Sequence, residues 1–167
     1  MQNKTVTIIA AILCASLLLL SNGIQAKPST KYKPLKILLP NQLNWQTSST
    51  LPKNVSAALL AGNPTKPGIF AIRVRLPKHF RGEPHTHPHN AYIVVLSGML
   101  HIDMGEKFNA ASLKAVPPDG FLFIPAHTPH FEWTDRVTNV QVIGMGPWGT
   151  TLVNAKGKPH QQMKIMM

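Results

Sequence analysis

The chain runs to 167 residues with seventeen Lys or Arg against six Asp or Glu, one cysteine, and a formal charge of +11 at neutral pH. Six carboxylates leave paired-carboxylate hydrolysis little to draw on, and Cys14 alone supports neither a disulfide framework nor a thiolate metal site. The positive charge fits an anionic partner such as an envelope surface. Nucleic acid, the usual reading of such charge, is set aside because no interleaved basic and aromatic stripe accompanies it.

In chain order, Lys4 precedes an apolar run from Thr5 to Leu20, and Ser21 to Ala26 is polar and small. This is the layout of a secretory signal over residues 1–26, cleaved near Ala26. The run is shorter than the ~20 residues that span a bilayer. The expectation is a periplasmic or secreted protein whose mature chain has no cysteine, so that any metal is held by nitrogen and oxygen. Residues 27–40 read as a flexible basic lead-in.

Residues 41–154 read as one domain. Asn41 to Trp45 and Val55 to Leu60 are candidate short strands, and Asn63-Pro64-Thr65-Lys66-Pro67-Gly68 is a turn cluster. Phe70, Ile72, Val74 and Leu76 then alternate with Ala71, Arg73 and Arg75, the period of a half-buried strand with its arginines outward. Tyr92 to Leu96 is continuously apolar, Ser97-Gly98 turns it into Met99 to Met104, and Asn109 to Ala115 has the makings of one helical turn. Pro117-Pro118-Asp119-Gly120 is a strong turn before a buried strand, Phe121 to Ile124. Thr138, Val140 and Val142 form another alternating strand, and Trp148 to Val153 reads as the last. Residues 155–167 read as a basic tail. Short strands, regular turns and no long helix predict an all-β sandwich or barrel.

The chemistry lies in the histidines. His85 and His87 are two apart, so on a strand both imidazoles face one side. His130 follows within Pro125-Ala126-His127-Thr128-Pro129-His130, where a facing strand would let it complete a three-nitrogen metal site.

This pattern resembles the cupin family. The two histidines and Gly98 match the first cupin motif, with Gly82 offset, and Pro125 and His130 match the second, with Gly120 one residue late and His127 in place of its inner glycine. The segments Asp103-Met104-Gly105-Glu106-Lys107-Phe108 and Gly146-Pro147-Trp148-Gly149 are similar to those of small secreted single-domain cupins. The resemblance implies a single cupin jelly-roll β-barrel, a metal bound by His85, His87 and His130, and a homodimer as the common assembly. It does not fix a reaction.

The departure from the pattern is Ala91, which stands where the first motif has its metal-binding glutamate. Three outcomes are open. The site is a three-histidine centre for Fe, Mn, Ni, Cu or Zn; or His89, His127 or His101 replaces the glutamate; or the site binds no metal. Glu132 shares strand parity with His130 and is a candidate acid, base or partner of the ligands, or else half of an ion pair at the rim. Phe121, Phe123, Phe131, Trp133 and Trp148 are expected to line the barrel. The functional expectation is an exported cupin binding one divalent transition metal and acting on a small molecule as a dioxygenase-like oxidoreductase. The alternative is a non-catalytic cupin of the cell envelope that binds a metal or small ligand.

Overall fold

The structure is a computed structural model that describes Tyr32, residues 34–153 and, by backbone, residues 159–164. The expected signal segment therefore lies outside the described residues. Backbone contacts divide the chain at Ile37, and every strand belongs to the part from Leu38 onward.

Among the described residues eleven strands follow one another: β1 (Ser56–Ala61), β2 (Gly68–Leu76), β3 (Arg81–Thr86), β4 (Ala91–Ser97), β5 (Leu100–Met104), β6 (Lys114–Val116), β7 (Phe121–Ile124), β8 (His130–Thr134), β9 (Thr138–Gly146), β10 (Gly149–Val153) and β11 (Pro159–Lys164). They form a five-stranded sheet in the order β1-β2-β9-β4-β7 and a six-stranded sheet in the order β11-β10-β3-β8-β5-β6. All pairings are antiparallel, and the crossovers between the two sheets make a jelly roll.

The alternation of β2 sets the register. Phe70, Ile72 and Leu76 are buried, and β2 pairs along its whole length with β9, placing Ile72 opposite Val142 and Val74 opposite Val140. Phe70 is fully buried and meets Trp148 edge to face at 5.4 Å. Both sheets feed the same core: Val95 and Val140 come from the first, Leu100 and Ile102 from the second. Two buried threonines tie loops to this frame. Thr134 Oγ1 donates to Pro77 O at 2.6 Å, and Thr138 Oγ1 donates to Met99 O at 3.0 Å. Gly98, between β4 and β5, has φ +86, and a Cβ there would sit 2.5 Å from Thr138 Oγ1 and Val137 O. Gly98→Ala adds left-handed strain to that overlap, so it is expected to lower the unfolding free energy by at least about 1–2 kcal/mol, read from a urea titration.

Several expectations need correction. Asn41 to Trp45 is not a strand: Pro40–Gln42 is a 3-10 turn, in which Leu39 N donates to Gln42 Oε1 at 2.9 Å. Asn109 to Ala115 splits into a 3-10 turn, Ala110–Ser112, capped by the Asn109 side chain, and the start of β6. Val153 does not end the last strand. β11 lies in the expected tail and pairs with β10, Gly149 opposite Lys164. It is an edge strand held by backbone pairing, and its proline opens it, where a missing N–H is tolerated. Phe121 and Phe123 are 63 % and 50 % exposed rather than lining the barrel. With Tyr92, Ile143, Met145 and Ile69 they form an apolar outer face on the five-stranded sheet, where Tyr92 and Phe123 lie opposite each other.

Candidate metal centre

Two neighbouring strands and the loop after β3 build the site. His85 on β3 stands opposite His130 on β8. They are 8 % and 2 % exposed. His87 falls just past the end of β3 but keeps its direction. The three rings form a compact triangle, with centroids 4.2 Å apart for His85 and His130, 5.0 Å for His85 and His87, and 5.1 Å for His87 and His130. One ring nitrogen from each lies within 4.8 Å of the others.

The rings are oriented from behind. Nδ1 of His85 is 2.7 Å from Glu83 O, Nδ1 of His87 is 2.8 Å from Gly149 O, and Nδ1 of His130 is 3.0 Å from Thr128 O. A carbonyl only accepts, so each Nδ1 carries the proton and donates it. Each Nε2 is left with a bare lone pair. This tethering of the far nitrogen is what metal-binding histidines require. His87 also stacks on the buried Trp148 at 4.3 Å and 26°. The loop before β8 is tied to the loop after β3, since His127 N donates to His87 O and Ala126 N to Asn90 Oδ1, both at 2.8 Å.

Burial holds all three imidazoles in the neutral, ligating form. Desolvation lowers the pKa of His85, and desolvation with repulsion from its two neighbours puts His87 well below the usual value. Desolvation first, then His85, brings His130 down to about 4. Nothing in the nitrogen set conflicts with a divalent transition metal.

The other candidates fall elsewhere. His127 is exposed with φ +59 and contributes its backbone N–H rather than its ring. His101 sits against Trp133 at 5.1 Å and 4.0 Å from Asp135. His89 is half-buried in the turn between β3 and β4, outside the triangle. Among the described residues none of these joins the metal cluster. Ala91, 1 % exposed at the start of β4, borders the interior cavity and leaves its wall without the motif carboxylate.

Glu132 is not in a rim ion pair. It faces a cavity of about 320 Å³ bordered by His85, His87, His130, Ala91 and Trp148. Its Oε2 is 3.9 Å from His85 Nδ1, but that nitrogen already donates to Glu83 O and the ring is neutral, so the approach is not a salt bridge. The side chain keeps 17 % exposure, toward the cavity, while Oε2 itself is covered. Desolvation raises its pKa to about 7, with His130 pulling the other way.

These shifts set a pH dependence. The folded chain holds its three histidines deprotonated below the unfolded value near 6.5, so their stabilisation is complete above about pH 6.5 and is lost on acidification. Glu132 has the opposite sign, its contribution being present below about pH 4.5 and lost as pH rises toward 7. Three groups outweigh one, so the metal-free protein should lose stability from pH 6.5 to 4.5. A melting temperature that stayed level or rose across that range would contradict this charge assignment.

No family model matches the chain, and no curated protein matches it in sequence. Solved structures do match. A protein from Methylibium petroleiphilum, provisionally assigned as an acetylacetone dioxygenase, superposes with a TM-score of 0.60 at 16 % identity, over 81 % of this chain and 92 % of its own. An RmlC-like cupin protein from Ralstonia eutropha gives 0.60 at 12 % identity, over 78 % and 80 %. The polyketide cyclase RemF from Streptomyces resistomycificus gives 0.57 at 14 % identity, over 80 % and 87 %. Identities this low speak to fold alone. With the two-sheet jelly roll and the histidine pair at the end of β3, they make the fold of this chain that of the RmlC-like cupins.

Proposed function

We propose that the chain binds one divalent transition metal (Fe, Mn, Ni, Cu or Zn) through His85, His87 and His130, and acts as a dioxygenase-like oxidoreductase on a small molecule. The observation that carries this is the triple tether: three backbone carbonyls fix the buried rings of His85 and His130 and the half-buried ring of His87 in the tautomer that leaves Nε2 bare, with one nitrogen of each ring within 4.8 Å of the others beside a cavity. When bound, such a metal supplies Lewis-acid or redox chemistry. The chain itself orients the rings, keeps them neutral, and offers apolar walls that take up the hydrocarbon part of a ligand and exclude water. The name of one structural neighbour, provisionally assigned as an acetylacetone dioxygenase, supports small diketones as first substrates to try.

The reading includes export, supported by the layout of residues 1–26, and contact with an anionic envelope surface, supported by the charge of +11. A homodimer is supported by the apolar outer face around Tyr92, Phe121 and Phe123.

The test is elemental mass spectrometry on untagged protein, followed by oxygen uptake with acetylacetone and related diketones. Near-stoichiometric metal with oxygen uptake is the expected result. Metal without turnover on a wider panel leaves a metal-binding module, and failure to take up any metal on reconstitution ends the metal reading.

A further inference from the structure

The cavity beside the triad is mainly hydrocarbon, with Thr50 and Thr150 among its few polar neighbours. Ile72, Val74, Ile93, Ile102, Val142 and Trp148 contribute to its wall, and into that wall β8 sends one carboxyl group. Burying a carboxyl without a partner costs free energy. Yet Glu132 Oε2 is covered and makes no hydrogen bond. The nearby cation does not serve it, because Arg81 pairs with Glu83 at 2.9 Å and lies over the Phe108 ring at 3.9 Å. Glu132 is not a fourth member of the nitrogen cluster either; its Oε2 lies beside Nδ1 of His85, the tethered nitrogen.

The backbone makes room for this carboxyl. Gly82 stands opposite Glu132 across β3 and β8. A Cβ at Gly82 would run into the carboxyl carbon and both oxygens of Glu132. The residue across the ladder is thus the one type that leaves the carboxyl its place. Oε2 is covered by protein, so the oxygen that a ligand in the cavity reaches is Oε1; a carboxyl with space cleared for it and no hydrogen bond inside the protein calls for a partner from outside on that open side.

We propose that Glu132 is the polar anchor of the ligand pocket, accepting the hydrogen bond of a hydroxyl or amine on a compact, otherwise apolar ligand whose oxygen donor points to the histidine triad. This deepens the functional reading given above and rests on it. Size limits the ligand further. A dry apolar cavity of about 150 Å³ holds benzene, so about 320 Å³ takes a molecule of about one or two rings. Sugars and other polyhydroxylated compounds are disfavoured, because the mainly aliphatic wall leaves most of their hydroxyls unpaired.

Phenol and anisole test this, since they share a ring and differ in the donor. The full untagged chain is titrated with each, metal-free, as wild type, Glu132→Leu and Gly82→Ala. Wild type is expected to prefer phenol by at least about tenfold, the value of one buried hydrogen bond to a carboxyl. Glu132→Leu should reduce the preference to within about twofold while still binding anisole, which shows the cavity intact. Gly82→Ala keeps the carboxyl but displaces it, and should also lose the preference; it decides the matter if Glu132→Leu does not fold. No preference in wild type overturns the proposal. So does a preference that survives in the variants, which assigns the acceptor to the histidine nitrogens. Metal uptake is measured on the same three proteins and should be equal. A loss confined to the Glu132→Leu and Gly82→Ala proteins overturns the proposal by making Glu132 a metal ligand. Absence of uptake in all three, with the phenol preference intact, defeats the metal reading and spares the anchor.

Discussion

His130→Ala is expected to abolish stoichiometric metal binding and leave the barrel folded. His130 is the sole member of the triad from β8, facing the pair that β3 and its loop provide. Its loss leaves two nitrogens, a set that does not enclose a metal. Changes to the supporting shell alone cost about 10–100-fold in affinity, and removal of a ligand should cost more. The fold should survive because the lost ring, although buried, borders the cavity and lies outside the hydrophobic core cluster. Calorimetry separates the two effects. Wild type with metal at about a hundredfold over Kd should gain about 2.7 kcal/mol of stability, and the variant nothing. A variant that still melts higher on adding metal would show that His130 is not a ligand.

Phe70→Ala should be the most destabilising single change described. Phe70 is fully buried where β2, β9 and Trp148 meet. Truncating a buried aromatic costs about 3–5 kcal/mol, a large share of the ~5–15 kcal/mol that holds a domain together. The loss should reach the site as well, since Trp148 packs on Phe70 on one side and on His87 on the other. Urea unfolding gives the first effect and metal affinity the second. A loss of stability under about 1 kcal/mol would mean that the core repacks around the gap.

The parts of the fold with strong side-chain period were legible from residues alone. Phe70 to Leu76 reads as a strand because its two faces differ, and the facing element around Val140 and Val142 shows the same alternation. β3 has no such signal, since Arg81-Gly82-Glu83-Pro84-His85-Thr86 has no apolar alternation; only the histidine spacing marks it. β11 is invisible for a related reason, being held by main-chain bonds to β10 that no side-chain pattern announces. At the site, parity put His85 and His87 on one face and Glu132 on the face of His130, and the family resemblance brought His130 to the pair. The three tethering carbonyls were beyond reach. Backbone oxygens have no residue identity, and Gly149 lies 62 positions from the histidine it holds. That the carboxyl is covered and unpartnered was also hidden, because its place depends on Gly82 across the ladder.

The stack of Trp148 on His87 gives the protein a built-in optical probe. An indole that is 5 % exposed emits at short wavelength, and this one lies 4.3 Å from a ring of the metal triad. A paramagnetic ion such as Cu or Ni, if held by that imidazole, would quench the blue edge of the emission, while Trp45 against Arg75 and Trp133 against His79 and His101 would supply a steadier background. Site occupancy can therefore be followed in unlabelled protein, by fluorescence, at concentrations too low for calorimetry.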